Sequence, residues 1–247
     1  MKKSLERSIS IVPRPAFALL IVALCLQIGW QAAQPAPSAR AEALDPPARP
    51  GVLRVLSLGE PIALAQFLTL YLQAFDNQPG VSIPFLALDY SRVTAWLRTI
   101  LALDPVSQYP LLMASQIYAQ VPDPAKQRGM CEFVRQQFDY EPDRRWRWLA
   151  HCAIMAKHRL NDVPLALAYA EAITSKARHA SNWARQMRIF LLEDLGELDA
   201  ATVLLGGLLA SGEITDPKEV HFLTTKLEKL KAAGKSSPPP GSRHPKP

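Results

Sequence analysis

Between Leu56 and Lys231 the apolar residues recur at helical spacing, and the breaks between these runs fall at a nearly constant interval. No long stretch alternates in the way a half-buried strand does. The spacing predicts helices over Glu60–Phe75, Tyr90–Leu103, Tyr109–Gln120, Pro124–Phe138, Arg145–Arg159, Val163–Ser175, Ser181–Leu195 and Leu198–Ser211, closed by an amphipathic helix over Pro217–Ala232. Proline and turn residues separate them at Asp76–Gly80, Asp104-Pro105 and Glu141-Pro142, and Val81–Leu88 is expected as a loop. Pro105 and Pro142, each just past the end of a pair, lie 37 residues apart, and Ala166 and Ala201, at matching places in later pairs, lie 35 apart. Helix pairs at such a period point to a solenoid, in which each pair buries its apolar face against its neighbours. The last helix is suited to covering the open end of the stack.

Leu195-Gly196-Glu197-Leu198-Asp199-Ala200-Ala201 resembles the turn of tetratricopeptide (TPR) repeats, and Leu160-Asn161-Asp162-Val163-Pro164-Leu165-Ala166 is a degenerate copy followed by Tyr169. Ala102-Leu103-Asp104-Pro105 resembles the usual repeat ending. The resemblance covers roughly residues 56–215 and implies an all-α fold, a TPR-like α-solenoid of about four helix pairs plus a terminal helix; the apolar run ahead of it, read below, adds one preceding transmembrane helix. Small Ala166 and Ala201 allow close helix approach, while Trp96, Leu167 and Leu205 fill the layers. Three features depart from the family pattern. The loop of the first pair is long, Val121-Pro122-Asp123-Pro124 lacks the glycine, and no copy carries a full signature. The segments around Phe75–Gly80 and Arg145–Leu149 are also similar to those of membrane-anchored helical-repeat proteins of bacteria. The resemblance carries no active site, because structural residues define the family.

Ahead of the body, Ala16–Ala33 reads AFALLIVALCLQIGWQAA without a formal charge, and roughly 20 helical residues span a hydrocarbon core. Lys2, Lys3, Arg7 and Arg14 precede it, so the N-terminus is expected in the cytoplasm and the body beyond the membrane. A cleavable signal needs a small-residue site close to a shorter apolar core. Ala39-Arg40-Ala41 is distant and lies behind Pro35 and Pro37, and Leu24 before Cys25 does not suit lipidation, so an uncleaved anchor is favoured. The expected organisation is a basic cytoplasmic segment (1–15), a transmembrane signal-anchor (16–33), a Pro/Ala-rich extended linker (34–55), the helical-repeat domain (56–233) and a basic, proline-rich disordered tail (234–247). The expected location is a bacterial inner membrane, single-pass, with the domain periplasmic.

The net charge of +6 invites a nucleic-acid reading, but each end of the chain carries a net +3 and the body between them is balanced. A phosphate-tracking surface needs excess charge on the folded part. No nucleic acid is expected as a partner, and no cofactor or metal, since the five histidines and three cysteines show no zinc spacing and no nucleotide fingerprint is present. His151 and His158 roughly share a helix face, where packing or solvation is their ordinary role. Asp76 and Asp89 flank the first loop, with Glu60 before it. Paired carboxylates would suit a helical hydrolase acting on cell-wall or exported glycan, but helix termination by Asp76 and capping by Asp89 explain them more simply. Cys131 and Cys152, on apolar faces of adjacent helices, are expected as neighbouring reduced core thiols.

The densest basic and aromatic cluster is Arg144, Arg145, Trp146 and Arg147, next to Trp148, which is assigned to the core with Leu149, Cys152 and Ala156. Arg forks pair with anions and Trp stacks on rings, so the cluster suits an acidic peptide, a phosphate-bearing lipid or a polysaccharide. The expected function is non-enzymatic: a membrane-anchored, extracytoplasmic scaffold that binds a protein or peptide partner through Arg144, Arg145, Trp146 and Arg147, in envelope or surface-polymer assembly. The alternative is the helical hydrolase.

Overall fold

The computed structural model describes residues 13–34 and 41–236, and it is all-α apart from one two-residue ladder. The expected N-terminal segment up to residue 12, the centre of the linker (35–40, which includes most of Ala39-Arg40-Ala41) and the tail beyond 236 lie outside the described residues. Two units are distinguished, Met1–Ala41 with Gln78–Ser82, and Glu42–Asn77 with Ile83–Pro247.

In the first unit, α1 (Arg14–Ala33) opens on prolines, whose fixed φ suits a first helical turn. Its 20 residues extend about 30 Å. It is apolar on every side and long and apolar enough to cross a membrane. Within Gln78–Ser82, Pro79-Gly80 turns the chain, and Gly80 takes the left-handed conformation that a corner of this kind requires (φ 77°).

In the second unit the helices are α2 (Pro50–Leu56), α3 (Pro61–Ala74), α4 (Tyr90–Leu103), α5 (Tyr109–Leu112), α6 (Pro124–Phe138), α7 (Pro142–His158), α8 (Val163–Lys176), α9 (Asn182–Asp194), α10 (Leu198–Ala210) and α11 (Pro217–Ser236). Local chemistry accounts for their starts. Asp89 accepts from Ser91 N at 2.9 Å, Asp123 from Ala125 N at 2.9 Å and Asp162 from Leu165 N at 2.9 Å, each satisfying an orphan donor of a first turn. Asp89 is thus a helix cap, and hydrogen bonds from Ser91 hold its carboxyl below the usual range.

Consecutive helices pack on one another, α6 on α7, α7 on α8, α8 on α9 and onward to α11. One core runs from Leu44 to Leu191, and a second, around Ala201, Leu205, Leu223 and Leu230, lies where α11 covers α10. Six of the polar ties between helices have similar sequence separations. Arg98–Gln136, Arg128–Asp162, Asp139–Lys176, the Asp143 carboxylate to His179 N, Lys157–Asp194 and Glu193–Lys226 all join residues 33 to 38 positions apart. These separations are close to the interval at which the breaks recur in the sequence.

Each of the two similar turns holds one residue in the left-handed conformation. Gly196 ends α9 at φ 77°, and Asn161, 35 residues earlier, ends α7 at φ 51°. Both occupy the left-handed position that closes a helix, which Gly adopts freely and Asn tolerates. A Cβ at Gly196 meets nothing within 4 Å, so the penalty for Gly196→Ala is conformational alone. Urea unfolding is expected to show a loss of about 1 kcal/mol, and Gly196→Asn is expected to retain most of the stability.

Two expectations are corrected. The proposed linker is not extended and free to residue 55. Pro50 starts α2, and Leu44 and Leu53 are buried in the core. Arg92 donates to Leu44 O at 2.6 Å and Trp96 Nε1 to Asp45 O at 2.7 Å. Proline-rich backbone forms no helix, but its unpaired carbonyls are free to accept from side chains, so α4 pins it. Tyr109–Gln120 is also not one regular helix. After α5 the chain widens into a π turn (Met113–Ile117) and tightens into a 3₁₀ turn (Tyr118–Gln120). Ser115 Oγ donates back to Leu111 O at 2.8 Å, a contact that bends helices, and Tyr90 Oη claims Tyr118 O at 2.7 Å.

Candidate functional site

Helix α7 lies between α6 and α8 and buries a wide arc that includes both Arg145-Leu149-Cys152-Ala156 and Trp146-Ala150-Ala153. One stripe remains outside, formed by Arg147, His151, Ile154 and His158 at spacings of four, three and four, which places them on one face. Helix α9 presents Trp183, Met187 and Phe190 with the same periodicity. Between these stripes lie two adjoining pockets of about 470 and 340 Å³ that share Ile154 and Trp183. Gln116, from the π turn, closes one end. From Arg147 to His158 the groove follows the helix for about 16 Å, the length of roughly five extended residues.

The wall is aromatic. Trp146 and Trp183 meet edge to face with centroids 5.6 Å apart, and the Arg147 guanidinium lies 5.5 Å from the Trp146 ring. Among the described residues no carboxylate lines either pocket, and the charged side chains that do are Arg147 and Lys157, the latter held by Asp194 at 2.5 Å. Half-buried, exposed Trp183 and Ile154 offer apolar surface of the kind that marks an interaction site when rimmed by polar groups.

His151 contributes a pH-dependent element. Burial, and then the charge of Arg159, lower its pKa below the ordinary 6.5, so it is neutral at pH 7. Because the folded value is the lower one, its contribution to stability is complete above pH 6.5 and is lost as the pH falls toward the folded value. His151→Gln is expected to flatten the decline of the melting temperature just below pH 6.5.

The predicted cluster divides in two. Arg145 is 2% exposed and unavailable to a partner. It donates Nη1 to Gln137 O at 2.7 Å and Nη2 to Pro105 O at 2.6 Å, with Glu141 at 3.7 Å, and burial lowers its pKa. Arg144 is exposed and leans on the same loop, 3.4 Å from Val106 O. Trp146 is the core tryptophan, at 7% exposure, whereas Trp148, expected in the core, is half-buried and donates to Gln108 Oε1 at 2.8 Å. Arg147 alone of the arginines lines the groove. Arg145 and Glu141 also border a cavity of about 660 Å³ between α4, α6 and α7, where Arg145 forms a clasp on Pro105 O and Gln137 O.

No protein family, curated protein or solved structure matches this chain. Among the described residues no group of three His, Cys, Asp or Glu side chains is placed to hold a metal. Cys131 and Cys152 are free and fully buried side by side. Burial and the neighbouring Cys131 raise the Cys152 thiol well above its ordinary value. The groove residues of α9 and the π turn were missed from sequence. The Trp183-Met187-Phe190 spacing was legible as an apolar stripe, but nothing in it distinguished a groove wall from core.

Proposed function

We propose that the chain is a membrane-anchored, TPR-like scaffold that binds an extended peptide segment of a partner protein outside the cytoplasm, in the groove between α7 and α9. The observation that carries this reading is the pair of adjoining pockets lined by Trp146, Trp183, Ile154 and Phe190, with Arg147 at the rim and no carboxylate. Those residues suit a segment with bulky apolar side chains and an acidic residue. The repeat reading rests on the ties 33 to 38 residues apart and on the matched turns at Asn161 and Gly196. In a stack of helix pairs, the first helices of successive pairs line the inner face, the role this reading gives to α7 and α9. Glycoside hydrolysis uses two carboxylates across the scissile bond, and the groove supplies none.

A photo-reactive side chain at Trp183 in the full-length membrane protein is expected to capture a discrete partner. The same group at Val203, which is exposed on α10, is expected to capture none. Ile154→Asp and Arg147→Glu are expected to reduce capture at least tenfold with unchanged melting. Capture that is equal at both positions, or that survives both substitutions, would place the partner elsewhere.

A further inference from the structure

A second exposed apolar surface of the second unit is formed by α2, α3 and the corner between them. Leu58 is 90% exposed, Val55 73%, and Phe67 and Leu70 64% each, with Ile62 and Tyr71 also exposed. Helix α3 carries no formal charge in its 14 residues, and Arg54 is the one charge in α2. The inner face of α3 is already used, since Ala65, Leu68 and Leu72 are buried where it packs on α4. Among the described residues nothing covers its outer face, where Ile62, Phe67 and Leu70 are exposed and Tyr71 stands at the border.

The corner is built to project a side chain. α2 and α3 meet at 109°, and the bend is made by Leu58 at φ 48° followed by Gly59 at φ 90°. A leucine in the left-handed conformation is rare and strained. Here the strain serves no packing within the body, because Leu58 is the most exposed large apolar residue in it.

We propose that the outer face of α2 and α3 inserts into the outer leaflet of the bilayer that α1 crosses. This rests on the anchored reading of α1 and concerns a different surface from the groove. Three observations select lipid as the occupant. Sixteen residues separate Ala33 from Pro50, a reach of at most about 55 Å, so α2 and α3 stay near the bilayer surface wherever α1 spans. α3 extends only about 21 Å, too short for a hydrocarbon core of about 30 Å, and its buried inner face holds it to the body, so it lies along the surface and does not cross. Tyr71 borders the face beside Trp96, with ring centroids 5.2 Å apart, an aromatic of the type that settles at headgroup depth. The surface is thus a monotopic docking face that holds the helical body against the membrane in one orientation.

The test uses the full-length chain with Cys25→Ala, in which the remaining native thiols, Cys131 and Cys152, are fully buried. Leu58→Cys, Phe67→Cys or Val203→Cys is labelled with an environment-sensitive fluorophore. The protein is then reconstituted in phosphatidylcholine–phosphatidylglycerol vesicles. Nitroxide carried on the lipid chains is expected to quench positions 58 and 67 at least threefold more than aqueous iodide does, with the order reversed at 203. Iodide access at 58 and 67 equal to that at 203 would overturn the proposal. Shielding from both quenchers would also overturn it, since the face would then be covered by protein, either a second copy or α1. Failure of the chain to remain in the vesicles would instead remove the anchored reading itself and leave the groove untouched.

Discussion

Arg145→Ala is expected to destabilise the helical body by about 3 kcal/mol, the effect of breaking a buried, hydrogen-bonded charge cluster. The side chain bridges Pro105 O, past the end of α4, and Gln137 O, in the last turn of α6, from its place on α7. Truncation leaves both carbonyls facing a void and leaves Glu141 Oε2, which has no hydrogen bond, with only the exposed Arg144 at 3.9 Å. Arg145→Lys keeps the charge but reaches only one carbonyl, so roughly half of the loss is expected to remain. Arg147→Ala, two residues away and exposed, is expected to change stability by less than about 0.5 kcal/mol. Thermal or urea unfolding of the three variants is the measurement. Equal stability of the Arg145 and Arg147 alanine variants would show that the clasp contributes nothing. The sequence reading expected both arginines to act alike, on a partner, and their burial now separates them.

Trp146→Ala is expected to cost about 3–4 kcal/mol, within the range for deleting a buried aromatic side chain, and to lower the melting temperature of a domain of this size by on the order of 10 °C. The indole is 93% removed from solvent and meets Trp183 edge to face. It also forms the groove wall, so the alanine variant is expected to lose both stability and partner capture. Trp146→Phe separates the two effects. It keeps most of the buried area and is expected to recover the greater part of the stability while presenting a smaller ring to the groove. Trp148→Ala removes a half-buried ring and one hydrogen bond to Gln108, and about 1–2 kcal/mol is expected. A larger loss at Trp148 than at Trp146 would reverse the assignment of the core tryptophan.

Proposed lipid contact and proposed peptide binding make different demands on the same chain. The groove needs Arg147, Ile154 and Trp183 in water and accessible. The face on α2 and α3 needs Leu58 and Phe67 out of water. If both hold, the body is oriented by three elements, the anchor, the inserted corner and the bound partner, and the groove presents a fixed direction to whatever approaches along the membrane. Vesicle quenching and photo-capture report on these independently.

Much of the fold was legible because its determinants are local. Asp89 and Asp123 cap α4 and α6 through their own next residues, prolines mark the ends, and both helices have the bounds their apolar spacing predicts, Tyr90–Leu103 and Pro124–Phe138. The left-handed closures at Asn161 and Gly196 are likewise properties of short segments. The length and composition of α1 needed no partner to be read. What tertiary structure decided depends on which of several possible neighbours is present. α7 carries apolar residues around more than half its circumference, and only the positions of α6 and α8 determine that Arg145 and Trp146 turn inward while Arg147 and His151 turn outward. Arg145 shares the stripe of Leu149, Cys152 and Ala156, and two carbonyls from distant loops make its burial tolerable, a circumstance invisible along the chain. The pinning of Leu44 and Asp45 by α4, the π turn at Met113–Ile117 and the opposition of Trp183 to Ile154 are of the same kind. Periodicity records that a face is apolar, but what covers that face, or leaves it open, is a matter of neighbours that the chain meets only once folded.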